Sequence, residues 1–129
     1  MTQLDALDIL KTGANVFLTG QPGSGKSHTI REYVKFLQSC GVAPAMTAST
    51  GIAATHISGM TIHSWSGLGI RKYITRRECK EMQTNSALMT RMKKTQVLII
   101  DEISMLDAAM LDSVDLMCRT LKDSDAPFG

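Results

Sequence analysis

No stretch of this sequence approaches the roughly 20 consecutive apolar residues that a membrane-spanning helix needs, although apolar residues make up 43% of it. A membrane-embedded protein is therefore not expected. The first ten residues, MTQLDALDIL, hold two aspartates and no basic residue, so they lack the positively charged start of a secretory signal. Cysteine is scarce. Cys40, Cys79 and Cys118 are odd in number, far apart and without the paired spacing of a metal site. They are expected to be reduced thiols of an intracellular protein. No internal repeat, low-complexity tract or linker interrupts the chain. Its 129 residues suffice for one small domain with one core.

Net charge is also small, +2, but the charge is segregated. Residues 71–94 carry eight bases (Arg71, Lys72, Arg76, Arg77, Lys80, Arg91, Lys93, Lys94) against Glu78 and Glu81. Residues 101–125 carry seven acids against Arg119 and Lys122. A basic stretch of this kind fits a polyanionic partner or a solvated helix face, and charge alone leaves both open.

Apolar periodicity divides the chain into alternating strands and helices. Residues 3–12 read as a short helix with Leu4, Leu7 and Leu10 on one face. Residues 15–19, NVFLT, read as a buried strand, and 20–25 as a glycine-rich loop. A helix follows from Lys26 to about Cys40, carrying Ile30, Tyr33, Val34 and Leu37, with Gly41 as its stop. Residues 43–47 read as a second strand, 51–56 as a short helix and 60–69 as an irregular loop. Residues 75–92 are weakly helical. The run VLII at 97–100 has the pattern of a strand covered on both faces. Ser104 or Asp107 caps a last helix with Met110, Val114, Met117 and Leu121 inside. The expected class is α/β with a mostly parallel sheet flanked by helices.

Residues 20–27, GQPGSGKS, match the phosphate-binding pattern G-x-x-x-x-G-K-[ST]. Glycines let backbone N–H groups curl around phosphate oxygens without a Cβ clash. The following helix aims its positive end at the same oxygens. Lys26 offers a point charge to the β and γ phosphates, and the Ser27 hydroxyl an oxygen to Mg²⁺. A chance match in a chain this long is on the order of one in a few hundred. The expected nucleotide contacts are Gly20, Pro22, Gly23, Ser24, Gly25, Lys26, Ser27 and the adjoining His28, with ATP and Mg²⁺ as ligands.

The run VLIIDE at 97–102 is the companion. A strand ending in Asp101 delivers a carboxylate to the metal shell at the sheet's carboxyl edge. Glu102 beside it suits a general base that polarises the attacking water. Lys26 and Glu102 are thus the expected catalytic residues, and Ser27 and Asp101 the metal ligands. These two motifs alone specify a P-loop nucleoside-triphosphate hydrolase, shared by motors, loaders and transporters.

Two further segments narrow the class. TASTGIAA at 47–54 offers small residues, hydroxyls and amides suited to phosphate contacts. A tight packing corner would look the same. Thr61-Ile-His63-Ser64-Trp65-Ser66 sets an imidazole and the only Trp among hydroxyls, a combination suited to gripping single-stranded nucleic acid. For Trp65 itself, a core anchor is the favoured reading.

Taken in order, 47–54, GMTIHSWSGLG at 59–69 and DEISML at 101–106 resemble motifs Ia, Ib and II of the Pif-one/RecD-like DNA helicases. Gln3 with Ala6, Leu7, Asp8 and GANVFLT at 13–19 resembles the family's Q motif, whose glutamine reads adenine. The resemblance runs from Gln3 to about residue 121 and is weakest over 71–94. It implies a RecA-like first motor domain that hydrolyses ATP and moves 5′ to 3′ along single-stranded DNA as a single motor. It also implies work in DNA repair, recombination and telomere maintenance, in the bacterial cytoplasm or the eukaryotic nucleus or mitochondrion. Ser49, Thr50, Gly51, His63 and Ser64 are the expected DNA contacts. The family continues past motif II into a Gln-Leu-Pro-Pro element and a second RecA-like domain that supplies arginines to the γ-phosphate. Residues 1–129 are therefore expected to be part of one such domain. Another P-loop ATPase, such as an AAA+ loader, or a nucleotide-binding module without turnover, is the alternative.

Overall fold

The computed structural model describes residues 1–71 and 73–129; Lys72, one of the eight bases above, lies outside the described residues. The chain divides into two compact units, Met1–Pro44 and Ala45–Gly129.

The first unit is a helix pair and the loop between. Helix α1 (Gln3–Lys11) starts from a capping box in which Thr2 and Asp5 bond each other's backbone N–H. The bond from the Thr2 N–H holds the Asp5 carboxyl below the usual carboxylate range. Helix α2 (Lys26–Ser39) buries Thr29, Tyr33 and Leu37, while α1 buries Ala6 and Leu10. Leu4 does not join them; it is 73% exposed, and Leu7 is half-buried. Leucines at a spacing of three drift about 120° around a helix over six residues, whereas Ala6 and Leu10, one turn apart, stay on one face. Tyr33 and Phe36 stack with ring centroids 6.4 Å apart, and the Lys11 ammonium lies over the Phe36 ring.

Residues 15–19 are not the strand that their composition predicts. They form no ladder, and Phe17 is 73% exposed rather than buried. An extended segment becomes a strand only when a neighbour pairs with its N–H and C=O groups. Among the described residues no strand does so.

The second unit holds a three-stranded sheet in the order β2 (Met60–Thr61), β1 (Ala45–Ala48), β3 (Leu98–Asp101). Both pairings are parallel, as the alternation of elements predicts, with Ala48 opposite Thr61 on one side and Asp101 on the other. Helix α3 (Gly51–His56) links β1 to β2. Helices α4 (Ile62–Ser66), α5 (Arg76–Met82) and α6 (Ser86–Lys94) carry the chain to β3, and α7 (Ala108–Leu121) follows it. Residues 60–69 are thus not an irregular loop. Thr61 ends a strand and caps a helix, its hydroxyl accepting the Ser64 N–H. All four β3 residues are half-buried rather than covered on both faces, and among the described residues β3 pairs with β1 alone.

The core lies between α4, α6 and α7, where Ile62, Trp65, Leu88, Met92, Met110, Val114, Met117 and Leu121 are buried together. The inner face expected of the last helix is the one observed. Cys79 and Cys118 are buried in the same cluster and Cys40 is exposed, all three free. Burial pushes the Cys118 thiol up to about 12. Arg76, Arg77, Lys80, Lys93 and Lys94 lie on exposed faces, and Arg71 and Arg77 pair with Glu78 and Glu81. A solvated face accounts for most of the described basic stretch. No helix among the described residues is long and apolar enough to cross a membrane.

Candidate nucleotide and nucleic-acid sites

In the first unit, the loop at 20–25 enters α2 with no side-chain cap. Each of the other six α-helices among the described residues starts under one, from Thr2, Thr50, Thr61, Thr75, Asn85 or Asp107. The first turn of a helix has four N–H groups with no partner inside the helix. At α2 no side chain competes with an anion for them, and its cap residue, Gly25, stands in the left-handed region at φ +89°. That backbone setting favours glycine, and a Cβ there would also displace the Gln3 side-chain amide, which lies against it. That amide donates to the Ser24 carbonyl at 3.2 Å. Gln3 thus braces the loop at 20–25 from α1, a contact that the sequence does not reveal.

The Lys26 ammonium folds over the loop, donating to the carbonyls of Gly20 at 2.6 Å and Gln21 at 3.3 Å. Pro22, Gly23, Ser24, Ser27 and His28 are all exposed. Uncapped amides, an adjacent ammonium and an accessible hydroxyl form a donor set that fits a nucleotide's phosphates. Among the described residues, no group of three His, Cys, Asp or Glu could hold a metal unaided.

In the second unit, β3 ends at Asp101, whose Oδ1 accepts the Glu102 N–H at 3.0 Å. Glu102 is exposed and adopts a left-handed backbone, φ +53°, an uncommon conformation for a residue with a Cβ. The end of β1 is fastened to the same place. The Ser49 N–H donates to the Asp101 carbonyl at 3.2 Å and its hydroxyl to the Glu102 carbonyl at 2.6 Å.

A cleft of about 700 Å³ opens beside this corner. All five expected DNA contacts, Ser49, Thr50, Gly51, His63 and Ser64, border it. So do Ile70, Arg71, Met105 and Leu106, none of them among the expected DNA contacts. The proximity of Met105 and Leu106 to Glu102 was the available signal. Not every border residue has a free side chain. Ser49 is nearly buried and its hydroxyl is spent on Glu102, while the Thr50 hydroxyl caps α3. His63 is half-exposed. Trp65 is 3% exposed and sits in the core, so of its two readings the anchor holds. The carboxyl end of α4, just after His63, is fixed by Arg91. One guanidinium nitrogen donates to the carbonyls of Ser64 at 3.2 Å and Trp65 at 2.9 Å. In the sequence, Arg91 stands out only as one base among eight.

The model of the PIF1-like helicase family matches residues 3–129. The ATP-dependent DNA helicase Pif1 of Psychrobacter sp. is 53% identical over 129 residues, which cover the whole of this chain and 20% of that protein. The chain thus spans about a fifth of that relative's length. Pif1 helicase from Candida albicans has a similar structure, with a TM-score of 0.86 and 36% identity over 98% of this chain and 29% of that one. Bacteroides Pif1 is similar too, both in complex with ADP-AlF4 (TM-score 0.81, 34% identity) and bound to single-stranded DNA (0.80, 33%). Each of these matches covers 98% of this chain and 29% of that one. This chain belongs to the PIF1-like helicase family.

Proposed function

We propose that residues 1–129 form part of the first RecA-like domain of an ATP-dependent DNA helicase, a single motor moving 5′ to 3′ along single-stranded DNA. Direction and motor number follow from family resemblance. The loop from Gly20 to Ser27 cradles the nucleotide's phosphates with uncapped amides, and Lys26 neutralises their charge. Gln3 is available to the adenine while it braces the loop. Ser27 and Asp101 would hold Mg²⁺, which supplies electrostatic stabilisation of the transferring phosphoryl group. Glu102 takes a proton from, or orients, the attacking water. The cleft beside Ser49, Thr50, Gly51, His63 and Ser64 takes the DNA strand. The observation carrying this reading is that β3 delivers Glu102 at its end while Met105 and Leu106, a few residues on, border that cleft. A hydrolytic base and a strand-binding face therefore share one segment of backbone. The Bacteroides relative bound to single-stranded DNA supports the choice of polymer.

Two substitutions test the two faces separately. Lys26→Ala leaves phosphate charge uncompensated, so the dissociation constant for Mg-ATP rises at least about tenfold, about 1.4 kcal/mol, by calorimetry. Equal affinity in mutant and parent would remove Lys26 from the site. His63→Ala is measured in a helicase of the relatives' full length carrying these residues. Losing a base contact of this kind costs about 1–3 kcal/mol, so the dissociation constant for oligothymidylate rises at least about fivefold at fixed salt. An unchanged constant would move the DNA track off this cleft.

A further inference from the structure

We propose that Ser49 is a positioning residue that ties occupancy of the cleft to the backbone setting of Glu102. The inference rests on the function proposed above. Among the described residues, Ser49 alone holds both members of the acidic pair by their main-chain oxygens, its N–H on Asp101 and its hydroxyl on Glu102. The Glu102 carbonyl has a second donor, the Met105 N–H at 3.1 Å. Two hydrogen bonds, one from the end of β1 and one from the turn after Glu102, thus converge on one oxygen.

Both donors adjoin the cleft. Thr50 and Gly51, directly after Ser49, border it, and so does Met105 itself. A strand that displaces either flank moves a hydrogen bond on the Glu102 carbonyl. Glu102 is sensitive to such a shift because its left-handed backbone, φ +53° and ψ +45°, is intrinsically disfavoured. Residues in such conformations persist where their surroundings hold them, and they cluster at functional sites. A small rotation of this peptide re-aims the exposed carboxylate that follows from the same Cα. The Ser49 hydroxyl is 2.6 Å from the carbonyl that it holds, and the side chain is nearly buried. It is poorly placed to touch DNA and well placed to sense movement of the loop that does.

The test uses the full-length helicase with Ser49→Ala, which removes the hydroxyl but leaves the Met105 bond, and Ser49→Thr, which keeps a hydroxyl. In Ser49→Ala the turnover number at saturating oligothymidylate falls about tenfold or more, as expected when a catalytic group is misplaced. The Michaelis constant for ATP and the dissociation constant for oligothymidylate stay within about twofold. Ser49→Thr recovers most of the lost turnover. Amide hydrogen exchange gives a readout independent of hydrolysis. Oligothymidylate changes the protection of the Met105 amide in the parent, and that response is lost in Ser49→Ala. Turnover and Met105 response both equal to the parent's would overturn the proposal while leaving the helicase reading intact. Weakened DNA binding with full turnover at saturation would overturn it as well, making Ser49 a DNA contact. A parent that binds no oligothymidylate overturns the function reading and this inference together.

Discussion

Glu102→Gln in the full-length helicase is expected to lower the turnover number about 100-fold or more while ATP affinity changes less than about twofold. Glutamine keeps the length and shape of the side chain and removes only its capacity to take a proton. The substitution leaves the main-chain clasp untouched, because Ser49 and Met105 bond the Glu102 carbonyl and not its carboxylate. Asp101 likewise bonds the Glu102 N–H. The local fold therefore survives, and the loss reports on chemistry. Single-turnover hydrolysis together with equilibrium nucleotide binding separates the alternatives. Weakened binding with turnover retained would make Glu102 a metal ligand or a structural residue, and the base would have to be sought elsewhere.

A larger effect is expected when the 129-residue polypeptide is assayed by itself. Its hydrolysis should fall at least about 10³-fold below that of the full-length helicase, with no DNA stimulation. An arginine supplied to the γ-phosphate is worth roughly 10³–10⁵ in turnover, and the arginines with identified partners here are otherwise engaged. Arg71, Arg77 and Arg119 pair with Glu78, Glu81 and Asp115. Arg91 holds the end of α4. The sheet argues in the same direction. Among the described residues β3 has one neighbour, and residues 15–19 expose Phe17 and join no ladder. Backbone groups that stay buried without partners cost about 1–3 kcal/mol each, against a typical domain stability of about 5–15 kcal/mol. A broad, weakly cooperative thermal transition should accompany the slow hydrolysis. A sharp two-state melt together with DNA-stimulated hydrolysis by this polypeptide would refute both arguments.

The contrast between 20–27 and 15–19 shows what the sequence can convey. The loop at 20–25 and the helix after it were legible because their cause is local. Glycines, a lysine and a hydroxyl within eight residues dictate both the turn and the helix that follows. The same holds for Asp107 capping α7 and for the apolar face of that helix. Residues 15–19 misled because strand formation depends on a partner, and composition carries no information about whether one lies alongside. The cleft was half legible. His63 and Thr50 stood in unusual company, whereas Arg91 reaches α4 across 26–27 positions and Ser49 reaches Glu102 across 53. Contacts at that separation are set by the sheet's register, not by any pattern along the chain. Helix α4 was missed for a smaller reason. Thr61 is a sound cap, but five residues are too few to show a period.

The distribution of cysteine gives this protein a chemical handle. Thiol-selective reagents react with the accessible thiolate. Cys118 is buried with its thiol pushed up to about 12, and burial raises Cys79 as well. Cys40 is exposed and stands directly after α2, whose first residue is Lys26. Fourteen helical residues separate a dye on Cys40 from the phosphate loop, a span of about 21 Å. That distance keeps the dye clear of the nucleotide while leaving it on the same rigid rod. Within residues 1–129, one fluorophore can therefore be set at a defined place with no residue of either site altered.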